Sequence, residues 1–245
     1  MNRFRAAAIH LLLSLILLSV AFLVMRLYLY PSFYFSANSG WGILVVVAGV
    51  DLIVGPFLTG VVYAPGKKSL KFDLTIIMLL QLVAFGYGAI AIYKERPMYA
   101  VFYIDAFEIV TAYELFQSNP DMTEFPDVSG TGVWPQVVYA AYPERGEPRR
   151  KYTREIKDGA PRIPQRFTSY RAIGEDNLPL IIQRGMSAES LLEAYDVPLA
   201  SLEKENIMPE RYHEVAFYPV YGKNINLVIA LNRSTGGILS EVDKQ

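Results

Sequence analysis

The sequence predicts a membrane protein with three transmembrane α-helices followed by a C-terminal α+β extracytoplasmic domain. Three observations carry that expectation. Residues 6–30, 42–63 and 74–93 are predominantly apolar, and roughly 20 such residues in a helix cross a bilayer core. Charge is spread unevenly, with eight Lys/Arg against three Asp/Glu over residues 1–96 and fifteen against twenty-one over residues 97–245. Past residue 97 the long runs give way to short β-rich stretches and turn residues. The expected division is a membrane domain over 1–96 and a periplasmic α+β domain over 97–245.

The first run follows MNRFR, a positive flank that would also suit a secretory signal. An uncleaved anchor is the expectation, because the run exceeds the usual apolar core of about 7 to 15 residues and no A-x-A site follows. Aromatic residues mark the ends of the runs: Tyr28, Tyr30, Phe33, Tyr34 and Phe35 after the first, Trp41 before the second, Tyr93 after the third. Such rings suit the headgroup layer. Orientation follows from the basic residues. Arg3 and Arg5 precede the first span, and Lys67, Lys68 and Lys71 sit with Asp73 in the short loop before the third. Placed inside, these leave only Lys94 and Arg96 opposite, plus Arg26, which can snorkel outward from the end of span one. The N-terminus is then cytoplasmic and everything after Tyr93 is outside, in the periplasm of a Gram-negative cell.

In the outer domain, 98–104 (MYAVFYI) and 107–112 (FEIVTA) read as a hairpin turning at Asp105 and Ala106, and 137–141 as another strand. Residues 143–166, rich in Pro, Gly and charge, read as an exposed loop. Ser187 suits the N-cap of AESLLEAYD, and a second short helix is expected near Pro198. The end of the chain gives two or three strands broken at 222–224 and 232–237, with Pro219 demoting the first to an edge or a bulge.

Catalytic signatures are sparse. No cysteine is present, which excludes disulfides and thiolate metal sites but leaves the compartment open. Two histidines, His10 and His213, allow no His-based metal cluster, and His213 beside Glu214 reads as a surface pair. No dinucleotide or phosphate-loop motif occurs, no cofactor is implied, and nucleic-acid binding is not expected of an acidic outer domain. Gly86 and Gly88 form a small notch for helix packing.

Polar residues inside membrane helices are costly and are functional candidates by default. Asp51 lies about nine residues from the outer end of the second run and Gln81 about twelve from that of the third, a depth difference of roughly 4 to 5 Å. Two readings stand. Gln81 hydrogen-bonds Asp51 as an internal lock between antiparallel helices, or Asp51 faces outward to a polar or cationic group on another protein's membrane helix. Pro56 lacks an N–H and should kink the helix, freeing the Leu52 carbonyl.

The segment GVDLIVGPFLTGVVYAPGKKSLKFDL, with LLQLVAFGYG and RPMYAVFYIDAFEIV after it, resembles the type IV pilin accessory proteins of the TfpX/TfpZ kind. The matching residues are Asp51, Gly55, Pro56, Leu58, Thr59, Pro65, 67–74, Arg96, Pro97, Tyr99, Val101 and Phe102, within residues 40–110. The resemblance implies an inner-membrane protein that helps its cognate major pilin accumulate or assemble into pili, and no enzyme. Joined to the intramembrane carboxylate, the resemblance leads us to expect Asp51 on or beside the surface meeting the pilin helix, engaging its mature N-terminal amine. The KKSLKFDL loop is then either a topology anchor, with Asp73 capping span three at Leu74, or a contact for the inner-membrane assembly machinery. Two other classes compete: a membrane enzyme that modifies pilin, with Asp105 and Glu108 as its nearest acid pair, and a membrane-anchored periplasmic sensor signalling through a partner.

Overall fold

Three helices in the computed structural model are long and apolar enough to cross a membrane: Arg3–Leu29, Leu44–Val62 and Leu70–Lys94. The structure describes residues 2–37, 41–195, 199–222 and 227–243. These form two compact units, Met1–Pro31 with Gly40–Arg96 and Ser32–Ser39 with Pro97–Gln245.

In the first unit, α1 (Arg3–Val24) begins at Asn2, whose side chain accepts a hydrogen bond from Arg5 N, and it widens into a π-helical turn at Met25–Leu29. After the short α2 (Tyr34–Ala37), the second apolar helix runs as α3 (Trp41–Gly49), a π-turn at Val50–Val54 and α4 (Gly55–Val62). The third is a single helix, α5 (Leu70–Lys94). Both α1 and α5 pack on the second helix. Tyr30 donates its hydroxyl to Ile92 O at 3.0 Å, and an ideal Cβ on Gly88 would lie 2.2 Å from Val47 Cγ2. Gly88 therefore makes the close approach to the second helix, while Gly86 faces open space. The outward faces remain bare: Val46 is 68% and Val83 71% exposed. Continuous apolar surface of this kind belongs in lipid or against another apolar surface.

The third helix starts four residues before the expected Leu74, so Lys71 and Asp73 lie in its first turn, not in the loop. Asp73 N donates to Ser69 O at 2.9 Å, which opens the helix at Leu70. The Asp73 carboxylate accepts from Ser69 Oγ at 3.0 Å and pairs with Lys67 Nζ at 2.7 Å. An acid in the first turn still complements the free amides there, though it is not the cap.

The second unit is built on a seven-stranded mixed sheet in the order β4-β3-β1-β2-β5-β6-β7. Its strands are β1 (Pro97–Tyr103), β2 (Ala106–Thr111), β3 (Gln136–Ala140), β4 (Tyr170–Ala172), β5 (Val215–Tyr221), β6 (Leu227–Asn232) and β7 (Ile238–Asp243). The hairpin β1–β2 turns at Ile104 and Asp105, and β1–β3 and β2–β5 are the parallel pairs. Helices α6 (Ala112–Ser118), α7 (Glu147–Lys157), α8 (Leu178–Arg184), α9 (Ala188–Tyr195) and α10 (Leu199–Lys204) complete the α+β arrangement. Ser187 Oγ accepts from Ser190 N at 3.2 Å at the start of α9. Pro198 and residues 223–224 fall outside the described residues.

Two expectations need correction. The stretch 143–166 is not a continuous loop: α7 occupies its middle, with Pro148 in the first turn, where a missing N–H costs nothing. Glu147 pairs with Arg150 and Arg154 along one face, and Tyr152 OH accepts from Tyr103 OH at 3.1 Å on the other. Pro219, for its part, does not sit on an edge strand, because β5 is flanked by β2 and β6. Phe217 exchanges backbone hydrogen bonds with Met186, and the β2 ladder begins only at Val220, so the proline falls in the gap between the two. No donor is needed there.

The aromatic residues after the first apolar run also divide differently from a headgroup belt. Phe33, Tyr34 and Ala37 are 3%, 5% and 0% exposed and belong to the core cluster of Phe102, Phe107 and Tyr218. Those three rings meet edge-on at 5.2, 5.5 and 5.6 Å.

Candidate functional site in the apolar helices

Asp51 lies in the π-turn Val50–Val54, and its neighbours explain the turn. Gly55 N donates to Val50 O, five residues back. In that register Asp51 O would be served by residue 56, which is proline and has no N–H. In the widened register the Asp51 carbonyl is therefore left without a ladder donor. Gln81 fills the vacancy: its Nε2 lies 3.5 Å from Asp51 O and 3.3 Å from Asp51 Oδ1. Asp51 is 2% exposed, and its Oδ2 has no hydrogen-bond partner among the described residues.

Gly55 makes room for this arrangement, because an ideal Cβ there would stand 2.0 Å from Gln81 Nε2. Gly55→Ala should push the amide off Asp51. The expected loss is about 1 kcal/mol of helix-packing stability, within the range of interhelical hydrogen bonds in membranes. Thermal melting of the full chain in detergent checks it, and an unchanged midpoint would show that the amide contributes nothing.

A second polar pair lies eight residues along the second helix, about 12 Å away. His10 Nδ1 and Thr59 Oγ1 are 2.6 Å apart, with Thr59 buried. Both pairs line one partly open groove of about 410 Å³. Its walls are apolar, with Leu13 and Leu17 on the first helix facing Met78, Leu82 and Phe85 on the third. Sequence reasoning treated His10 only as a lone imidazole and missed this pairing. The depth count that matches Asp51 with Gln81 would have found it, since His10 lies four residues into the first run and Thr59 four from the end of the second.

The remaining candidates are not among the residues that line the groove. Pro56 is buried one turn beyond Asp51, and Arg26 is half-buried in the π-turn that ends the first helix. Lys67, Lys68 and Lys71 are exposed around the start of the third helix. In the sheet unit Glu108 pairs with Arg162, and His213 is an exposed neighbour of Glu214, 4.0 Å from its carboxylate. Among the described residues no three His, Asp or Glu side chains gather as a metal ion would need.

Similarity to known proteins falls on curated fimbrial assembly proteins of Dichelobacter nodosus. The chain is 32% identical over 130 residues to the protein of serogroup E1, a match covering half of each chain. It is 30% identical over 129 residues to that of serogroup I, again half of each. Against the protein of serogroups C1 and C2 it is 31% identical over 109 residues, 44% of this chain and 83% of the relative. The chain thus spans about half the length of the first two curated relatives it matches. No protein-family model matches, and no solved structure does.

Proposed function

The chain belongs to the family of fimbrial assembly proteins, and from that premise we propose that it is an inner-membrane accessory protein that binds its cognate type IV pilin and promotes that pilin's stability or assembly. The observation that carries the reading is this kinship joined to three helices of membrane-spanning length. Such a chain offers its client an apolar helical surface and a separate sheet domain. In the proposed orientation the N-terminus and Lys67, Lys68 and Lys71 are cytoplasmic and the sheet domain is periplasmic.

Deleting the gene should cut pilus number and the level of the cognate pilin, and restoring the full chain should recover both. Unchanged piliation would sink the reading. The intact mass of the pilin should be the same in both strains; a lost modification would favour a pilin-modifying enzyme instead.

Replacing Lys67, Lys68 and Lys71 together by Gln should mix the orientation of the sheet domain, read by protease access to residues 97–245 in spheroplasts. Lost piliation with orientation intact would instead assign these lysines to a cytoplasmic contact with the assembly machinery.

A further inference from the structure

The two polar pairs in the groove are not equivalent. His10 Nδ1 and Thr59 Oγ1 pair with each other. Asp51 is half satisfied: Gln81 reaches its backbone carbonyl and Oδ1, while Oδ2 is buried without a partner. A carboxylate oxygen kept from both water and donors is expensive, and either a proton or a paired cation relieves that cost. The groove around it is lined mainly by apolar side chains from two different helices. At about 410 Å³ it is too small for a whole helix of about 10 Å diameter, yet large enough for side chains from one face of a helix lying across it. Its length, from Asp51 to the His10–Thr59 pair, corresponds to about two turns of such a helix.

We propose that this groove, between the first and third helices, seats one face of a partner's apolar membrane helix, whose single ammonium group pairs with Asp51 Oδ2. The Gln81 contacts hold the carboxylate in its rotamer, Pro56 and the π-turn leave the Asp51 carbonyl free for Gln81, and the apolar walls supply the remaining contact. This deepens the accessory-protein reading and rests on it, naming where the client helix sits and what chemistry it presents.

The test places a photo-crosslinking phenylalanine derivative, one position at a time, in the full chain in its own membrane. Leu13 and Met78 line the groove; Val46 and Val83 lie outside its lining and are largely exposed. Leu13 and Met78 should give an adduct with a chain whose crosslinked peptide is an apolar helix bearing an amine, while Val46 and Val83 give none. Asp51→Asn, nearly isosteric and still able to accept from Gln81, should reduce the groove adduct at least about tenfold. Gln81→Leu should reduce it less.

Equal adducts from all four positions, an adduct with a second copy of this chain, adducts with lipid alone, or an adduct indifferent to Asp51→Asn would each overturn the groove. The wider reading fails separately. Normal piliation in the deletion strain sinks it, whereas lost piliation without a groove adduct leaves it standing and removes only the groove.

Discussion

Phe33→Ala should lower the stability of the sheet domain by about 3 to 5 kcal/mol, the usual cost of emptying a buried phenylalanine site. The residue follows the first apolar helix in sequence, yet it is 3% exposed in the core that holds Phe102, Phe107 and Tyr218. Its ring stacks on Tyr34 at 4.1 Å. Gly222 admits this segment, since an ideal Cβ there would come within 2.6 Å of Ala37 O. The effect can be followed by the fluorescence of Trp134, which packs edge-on against Tyr99 at 5.4 Å, in a Trp41→Phe background of the full chain. Tyr28→Ala is the control. Tyr28 belongs to the same aromatic cluster in sequence but is 74% exposed, so its removal should move the domain's stability by less than about 0.5 kcal/mol. Equal effects of the two substitutions would mean that Phe33 fills no core.

That contrast shows where the sequence stops being legible. Three apolar runs announce three long helices because length and hydropathy are local properties, and the β1–β2 hairpin is visible for the same reason. The environment of an aromatic beside an apolar run is not local. Tyr28 and Phe33 look alike in sequence, and only the tertiary structure sends one outward and the other under a sheet. Helix α7 was hidden differently. Gly146 and Pro148 read as loop residues, but Gly146, at φ 109°, immediately precedes the helix, and Pro148 occupies its first turn. Tyr152 finds its place through Tyr103, 49 residues away. Strand β4 has three residues and no pattern of its own. Its pairing with β3 defines it. At the groove, Asp51 and Gln81 stood out as polar residues in apolar runs. The π-turn did not, because it needs Pro56 and an acceptor register to be considered together.

Asp51→Asn should remove most piliation while leaving the chain folded, inserted and at its normal level. The magnitudes separate this from the alternative in which Asp51 only ties helices together. Interhelical hydrogen bonds in membranes contribute about 0.6 kcal/mol on average and at most about 1.7. Asparagine retains a carbonyl where Gln81 now meets Oδ1, and the backbone contact at Asp51 O is unaltered. A lock alone therefore predicts that Asp51→Asn is nearly silent and that Gln81→Leu, which removes both contacts, is the more damaging change. A cation seated at Oδ2 predicts the reverse order, because the asparagine amide turns an acceptor into a donor and discards the charge. Counting pili and measuring accessory-protein and pilin levels in the two mutant strains distinguishes the cases. If Gln81→Leu is the worse of the two, Asp51 serves its own bundle; if Asp51→Asn is worse by about tenfold or more, its free oxygen serves a client.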